Sequence, residues 1–381
     1  MKPVVWSISR AQVLLALLLL LSVSLVACGD NTATPVPAST TAPAATLAAT
    51  TAATSTAGTT TAATTAASTT AASATSGPIT VTDGTKTTIT IDKPATRVIC
   101  VIWECYDVLL ELGVTPVGVF QGYVDNAIGY LVKPEYFGKD LANIGRVGGE
   151  TTQSPNLEDI AKLKPDLVLG STAAAINGRE GLKNIAPIYA LTQNTPGTYD
   201  NMFTNLRDIG KLTGREAQAE AAIKRFQDKL TAYKAKSPKT TKVLVLCYYY
   251  SPPGICVMNT NLAVGAVMKE VTAYPWDLPA GVQAATQFSL EKMLEINPDV
   301  IFVGQNYQLN PDGTTSLAKG ELETRDKLKS DPFWSQIAAV KNGKVFELER
   351  WEVTGATLAL GKLLDDVMTK TYPDVFPQAL P

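Results

Sequence analysis

The chain has 381 residues, with 33 Lys and Arg against 35 Asp and Glu, and it contains no histidine. This slightly acidic balance argues against a nucleic-acid partner, which would require a basic face. The missing imidazole excludes Ser-His-Asp and Cys-His catalysis, histidine zinc sites and histidine-ligated haem, and the sequence has no GxxxxGK[ST] phosphate loop.

Lys2 and Arg10 precede the apolar run Val13 to Leu21. That run is too short and too early for a permanent span, so residues 1–27 read as an export signal. It ends in Leu25-Val26-Ala27-Cys28, which resembles a bacterial lipobox. The small Ala27 suits a narrow peptidase pocket, and the Cys28 thiol can then take a lipid and become the new N-terminus. An ordinary signal peptide or an uncleaved anchor is the alternative. Lipid anchoring places the mature protein on the extracytoplasmic face of the cell membrane, held by the lipid alone, since no later segment reaches the roughly 20 apolar residues of a spanning helix. Residues 28–77 are dominated by Thr, Ala, Ser and Pro, with no aromatic side chain. Such a segment cannot bury enough apolar surface to offset its ordering entropy, and it is expected to be a disordered tether.

About 300 residues remain, enough for two α/β lobes. Ile79 to Ile91, turning at Asp83-Gly84, reads as an opening hairpin. Arg97 to Ile102 is a strand followed by a helix over Asp107 to Leu112, and Pro116 to Phe120 and Pro187 to Leu191 are further strands. From Thr213, a candidate N-cap, a helix runs to Ser237-Pro238, with Ala222, Phe226, Leu230 and Tyr233 as its apolar stripe. At 1.5 Å per residue it would span roughly 33 Å, the depth of a two-lobed protein. A single helix cannot fold and unfold cheaply at each ligand event, so it allows small tilting rather than wide closure. Lys242 to Leu246 and Lys344 to Leu348 are strands of the second half.

Two stretches repeat one pattern. Asn156 to Gly170 and Ser289 to Gly304 each begin with an N-cap residue, continue as an apolar-periodic helix, stop before Pro-Asp and enter a buried β run. The fold class that follows is α/β: two lobes, each a mostly parallel sheet flanked by helices, joined by one long backbone helix with a ligand cleft between the lobes. The divisions are an N-terminal lobe over 78–197, a connecting helical segment over 198–238 and a C-terminal lobe over 239–381. Cys100 and Cys105 flank a strand end, and Cys247 and Cys256 flank a hairpin around YYYSPPGI. Outside the membrane both pairs are candidate disulfides. Their spacing is unlike CxxC knuckles, and no metal site is expected from them.

With these elements in this order, the chain resembles the helix-hinged class of binding proteins that serve ABC importers for ferric siderophores, haem and cobalamin. The resemblance covers about residues 90 to 370. It is carried by Thr96-Arg-Val-Ile-Cys-Val101, Leu112-Gly-Val-Thr-Pro-Val-Gly118, the two helix-Pro-Asp-strand units and Phe333 to Val345. It implies a monomer that captures a chelated metal, a ferric siderophore foremost, and delivers it to a permease and its ATPase, without catalysis and without a cofactor of its own. Cobalamin or haem are alternative cargoes, and a surface sensor or adhesin is the alternative of another class.

Ligands of open α/β sheets bind beyond the carboxyl ends of the strands. The strand ends therefore nominate Trp103, Tyr106, Tyr123, Arg146, Tyr249, Tyr250, Tyr307, Arg350 and Trp351, with Glu104, Gln121, Tyr248, Gln305 and Glu352 beside them. Trp and Tyr can cover the carbon rim of a chelate, and Arg can pair with its carboxylate or catecholate oxygens. Glu104 and Glu352 fit an anionic ligand less well. Glu158 and Glu291 occupy the same place in the two repeated units. The resemblance implies that each docks on one permease half, whereas a glutamate in a first helical turn also simply complements the macrodipole.

Overall fold

The computed structural model describes residues 77–122, 143–193, 198–250, 253–277, 289–310, 312, 314–353 and 356–381, with backbone alone at 248–250, 253, 254, 309 and 315. The signal segment, Cys28, the rest of the tether to 76 and Tyr123 lie outside the described residues.

The chain opens with the antiparallel pair β1 (Ile79–Thr82) and β2 (Thr88–Ile91). Asp83 closes the turn: its Oδ1 accepts from the Thr85 and Thr87 amides, while Oδ2 accepts from the Ala190 amide and pairs with Arg179. The opening hairpin is thereby tied to the first lobe. Next come β3 (Val98–Cys100), α1 (Trp103–Glu111), β4 (Gly118–Phe120), β5 (Gly145–Val147), α2 (Leu157–Lys162), β6 (Leu167–Gly170), α3 (Thr172–Leu182) and β7 (Ile188–Ala190). Five strands align in parallel in the order β5-β4-β3-β6-β7. β3 and β6 are buried along their whole length, as strands covered on both faces must be.

Two helices follow, α4 (Asp200–Thr213) and α5 (Glu216–Lys236). Thr213 does not cap the second of them. It is the last residue of α4, its hydroxyl donates back to the Ile209 carbonyl, and Gly214 breaks the chain with a left-handed φ of 65°. A threonine hydroxyl serves a helix end as readily as a helix start, which is why the boundary was misplaced. Ala222, Phe226, Leu230 and Tyr233 are all buried. Through them α5 packs on α4 and α1 of the first lobe and on helices of the second. Gly214→Ala should cost about 1–2 kcal/mol, because a Cβ is disfavoured at this φ and would meet Pro94 Cβ at 3.2 Å. Chemical denaturation should show a lower midpoint at unchanged slope.

The second lobe contains β8 (Val243–Tyr250), β9 (Pro253–Val257), α6 (Ala263–Val271), α7 (Leu290–Ile296), β10 (Val300–Gln305), the small hairpin β11 (Tyr307–Leu309) and β12 (Thr315–Leu317), α8 (Lys319–Ser330), α9 (Ala338–Lys341), β13 (Val345–Glu349) and α10 (Thr357–Thr371). Its sheet has the order β13-β10-β8-β9, parallel except for the β8–β9 hairpin. Cys247 and Cys256 face each other across that hairpin and are disulfide-bonded, with Cα atoms 5.0 Å apart. Cys100 and Cys105 are likewise bonded, at 5.9 Å.

Both repeated units are built alike. Asn156 caps α2 before β6, and Ser289 caps α7 before β10. The two lobes are thus α/β sheets of similar build, and the long terminal helix α10 contacts both, packing on α5, α1 and α6. Among the described residues no helix is long and apolar enough to cross a membrane.

Candidate functional site

The helix after β3 starts at Trp103, one turn earlier than the expected Asp107. Ile102 provides no side-chain cap, so the start carries no signal in the sequence. The earlier start decides where three candidate residues point. Trp103 and Glu104 in the first turn line a cavity of about 230 Å³ between the lobes. Tyr106 turns into the core. It has no exposed surface, and its hydroxyl donates to the Cys100 carbonyl (3.4 Å) and accepts from the Phe120 amide (3.2 Å). Tyr106 is therefore a packing residue and not a ligand contact.

The first lobe adds Gln193 to the cavity wall, α4 adds Asn201, and the second lobe adds Met258, Leu262 and Val353. Residues at or beside the N-termini of four helices, α1, α4, α6 and α10, line this space, and none of the four helices is capped by its own N-cap side chain. Partial positive charge at helix starts favours an anionic guest. Two carboxyls already lie among them. Gln193 donates to Glu104 Oε1 at 2.8 Å. Burial pushes the Glu104 carboxyl up, against that bond. Asp107, four residues from Trp103, reaches across the lobes: its Oδ2 accepts from the Ala356 amide (2.6 Å) and the Ala359 amide (3.1 Å) at the start of α10. Glu111 accepts from the Thr357 hydroxyl beside it and pairs with Arg225 of α5 at 3.3 Å.

The remaining candidates separate. Trp351, in contrast to the expectation, is 3% exposed and donates from Nε1 to Glu349 Oε2 (2.8 Å), so it packs at the end of β13 rather than facing a ligand. Arg350 precedes it, half-buried, in the 3-10 turn Arg350–Val353. Arg146 is half-buried on edge strand β5 and donates to the Ile144 carbonyl at 2.7 Å. Tyr307 is half-buried on β11, where burial and the charges of Glu347, Glu349 and Glu321 push its phenol up. The β8–β9 hairpin pairs Tyr249 with Gly254 and Tyr250 with Pro253, and the side chains of these tyrosines lie outside the described atoms. Gln305 is buried on the far face of the second sheet. Gln193 and Met258 were not foreseen. Gln193 lies just past β7, a strand end that the carboxyl-end rule would have nominated. Among the described residues no cluster of three His, Cys, Asp or Glu side chains is placed to hold a metal ion.

Comparison with known proteins agrees with this architecture. The sequence profile of a family described as periplasmic binding protein matches residues 98–350. A putative ABC transporter substrate-binding lipoprotein of Bacillus subtilis, YhfQ, is 27% identical over 71% of this chain and 82% of its own. The Fe(3+)-citrate-binding protein YfmC of the same organism is 25% identical over 74% and 83%. Among solved structures, Staphylococcus aureus SirA complexed with staphyloferrin B superposes with a TM-score of 0.58 at 25% identity, covering 78% of this chain and 99% of that one. FeuA from Bacillus subtilis complexed with ferri-bacillibactin gives 0.59 at 20% identity, over 76% and 97%.

Proposed function

Because this chain belongs to the periplasmic binding protein family, we propose that it captures a ferric chelate, a siderophore foremost, and hands it to the permease of an ABC importer. It is a binding protein and not an enzyme. The observation that carries the cargo is the interlobe cavity, lined by four helix N-termini and flanked by Trp103. Helix starts suit an oxygen-rich anionic complex, and an indole suits its carbon rim. Iron held in its own chelator needs no protein ligand, which agrees with a chain devoid of histidine. The relative named for Fe(3+)-citrate and the structure complexed with staphyloferrin B support the same reading. Tyr123, Arg146, Tyr249, Tyr250, Tyr307 and Arg350 are the further proposed ligand contacts.

Cys28 carries the lipid in this proposal, the Thr/Ala-rich tether gives the folded domain reach from the membrane, and the protein acts as a monomer. Glu158 and Glu291, each exposed in the first turn of its helix, are the proposed contacts to the two permease halves.

Titrating intrinsic tryptophan fluorescence with ferric citrate, a ferric hydroxamate and cobalamin tests the cargo. A ferric chelate should give a saturable change and cobalamin none, and Trp103→Phe should remove most of the response. A response to cobalamin alone overturns the proposal.

A further inference from the structure

The second lobe contains a cavity of about 370 Å³ that shares no lining residue with the interlobe one. It lies over the face of the sheet that carries Val303 and Gln305 of β10 and Val345 of β13, beside α8 and Trp334. Two polar groups in its wall are unsatisfied. Gln305 is 1% exposed, yet its Oε1 has no hydrogen-bond partner. Arg325 of α8 has a buried Nε, also without one. The nearest carboxylates, Asp326 at 3.7 Å and Glu347 at 3.8 Å, stand beyond hydrogen-bond reach of the guanidinium. Native folds seldom leave such groups unpaired, and each calls for a partner. Lys329, Ser335 and Glu347 also line the cavity, and Val303, Leu328 and Trp334 give it a buried apolar part.

We propose that this cavity is a second small-molecule site, for an amphipathic acid bearing a hydroxyl or amide N–H beside its carboxylate. The carboxylate pairs with the Arg325 guanidinium, the adjacent donor satisfies Gln305 Oε1, and the apolar body lies against Leu328 and Trp334. The volume is enough for a single-ring acid. The site is independent of the cargo in the cleft.

Mandelate is the probe, titrated calorimetrically into the mature protein. A dissociation constant on the order of 1 mM or below is expected for a ligand of this size. Phenylacetate, which lacks the hydroxyl, and mandelamide, which lacks the charge, should each bind about tenfold more weakly. Arg325→Gln should weaken mandelate by about tenfold or more. Gln305→Leu should also abolish the preference for mandelate over phenylacetate while raising the melting temperature of the free protein, because it removes a buried orphan. If Arg325→Gln does not fold, Gln305→Leu carries the test. No heat from mandelate up to about 20 mM, twentyfold above that expected constant, or equal binding by wild type and Gln305→Leu, overturns the proposal and leaves a cavity filled by water alone.

Discussion

Raising the pH from about 5 to about 8 should progressively destabilise this protein, and Asp107→Asn should make that dependence shallower. With no histidine in the chain, no side chain has an ordinary pKa inside this window, so perturbed carboxyls dominate it. Asp107 is 3% exposed. Burial first, and then the neighbouring charge of Glu111, push its carboxyl up to about 8, against the amides of Ala359, Ala356 and Leu358. Glu352, 2% exposed, is also pushed up to about 8, mainly by burial and in spite of Lys362 at 3.7 Å. A carboxyl whose pKa rises on folding keeps its proton in the folded state after the unfolded chain has lost it. Its stabilisation is complete below the unfolded pKa of about 4 and disappears as the pH climbs through the folded value. Each such group contributes up to about 1.4 kcal/mol per pH unit within the window. Asp83 lies outside it: burial works against its ionisation, but bonds from Thr85, Ala190, Thr87 and Arg179 outweigh burial and hold it low, so its contribution fades only in stronger acid. Asparagine keeps the shape of Asp107 and an oxygen for the α10 amides. Urea denaturation across the range measures the slope. A flat wild-type profile, or a variant as steep as wild type, would refute the assignment.

The same residue shows what the sequence could and could not disclose. The repeated units were legible because every signal in them is local: a capping Asn156 or Ser289, a short periodic helix, a Pro-Asp stop and a buried strand. The buried runs of β3, β6 and β10 were legible for the same reason. Asp107, in contrast, caps a helix 249 residues away, and no neighbouring residue announces it. Tyr106 and Trp351 failed as ligand candidates because an aromatic just past a strand looks the same in sequence whether its helix turns it inward or outward. Trp103 and Tyr106 are three residues apart on one helix, and only the start of that helix decides which of them lines the cavity. Ile102 offers no cap by which to find that start.

Reversing Glu158 and Glu291 together to arginine should abolish import while leaving ligand affinity within about twofold of wild type. Both glutamates are exposed, and both lie two residues after the N-cap of a short helix. Neither lines the interlobe cavity. Asn156 Oδ1 accepts from the Glu158 and Asp159 amides at 2.9 and 3.2 Å, and Ser289 Oγ accepts from the Lys292 amide at 3.2 Å while its hydroxyl donates to the Glu291 carboxylate. Each glutamate adds a macrodipole term of about 0.3–1 kcal/mol to its own helix and Glu291 adds one exposed hydrogen bond to Ser289, a loss small enough that the double reversal should still fold. A carboxylate facing an arginine across an interface is another matter. Charge reversal there replaces attraction by repulsion and costs several kcal/mol per contact, enough for a loss of about a hundredfold or more in productive docking. Each single reversal should retain one of the two contacts and give an intermediate rate. Import by a reconstituted permease, measured beside tryptophan titration of the same protein preparations, separates the two roles. If the double variant imports at the wild-type rate, the glutamates serve only their helices. If affinity falls in parallel with import, they act through the cleft and not through the permease.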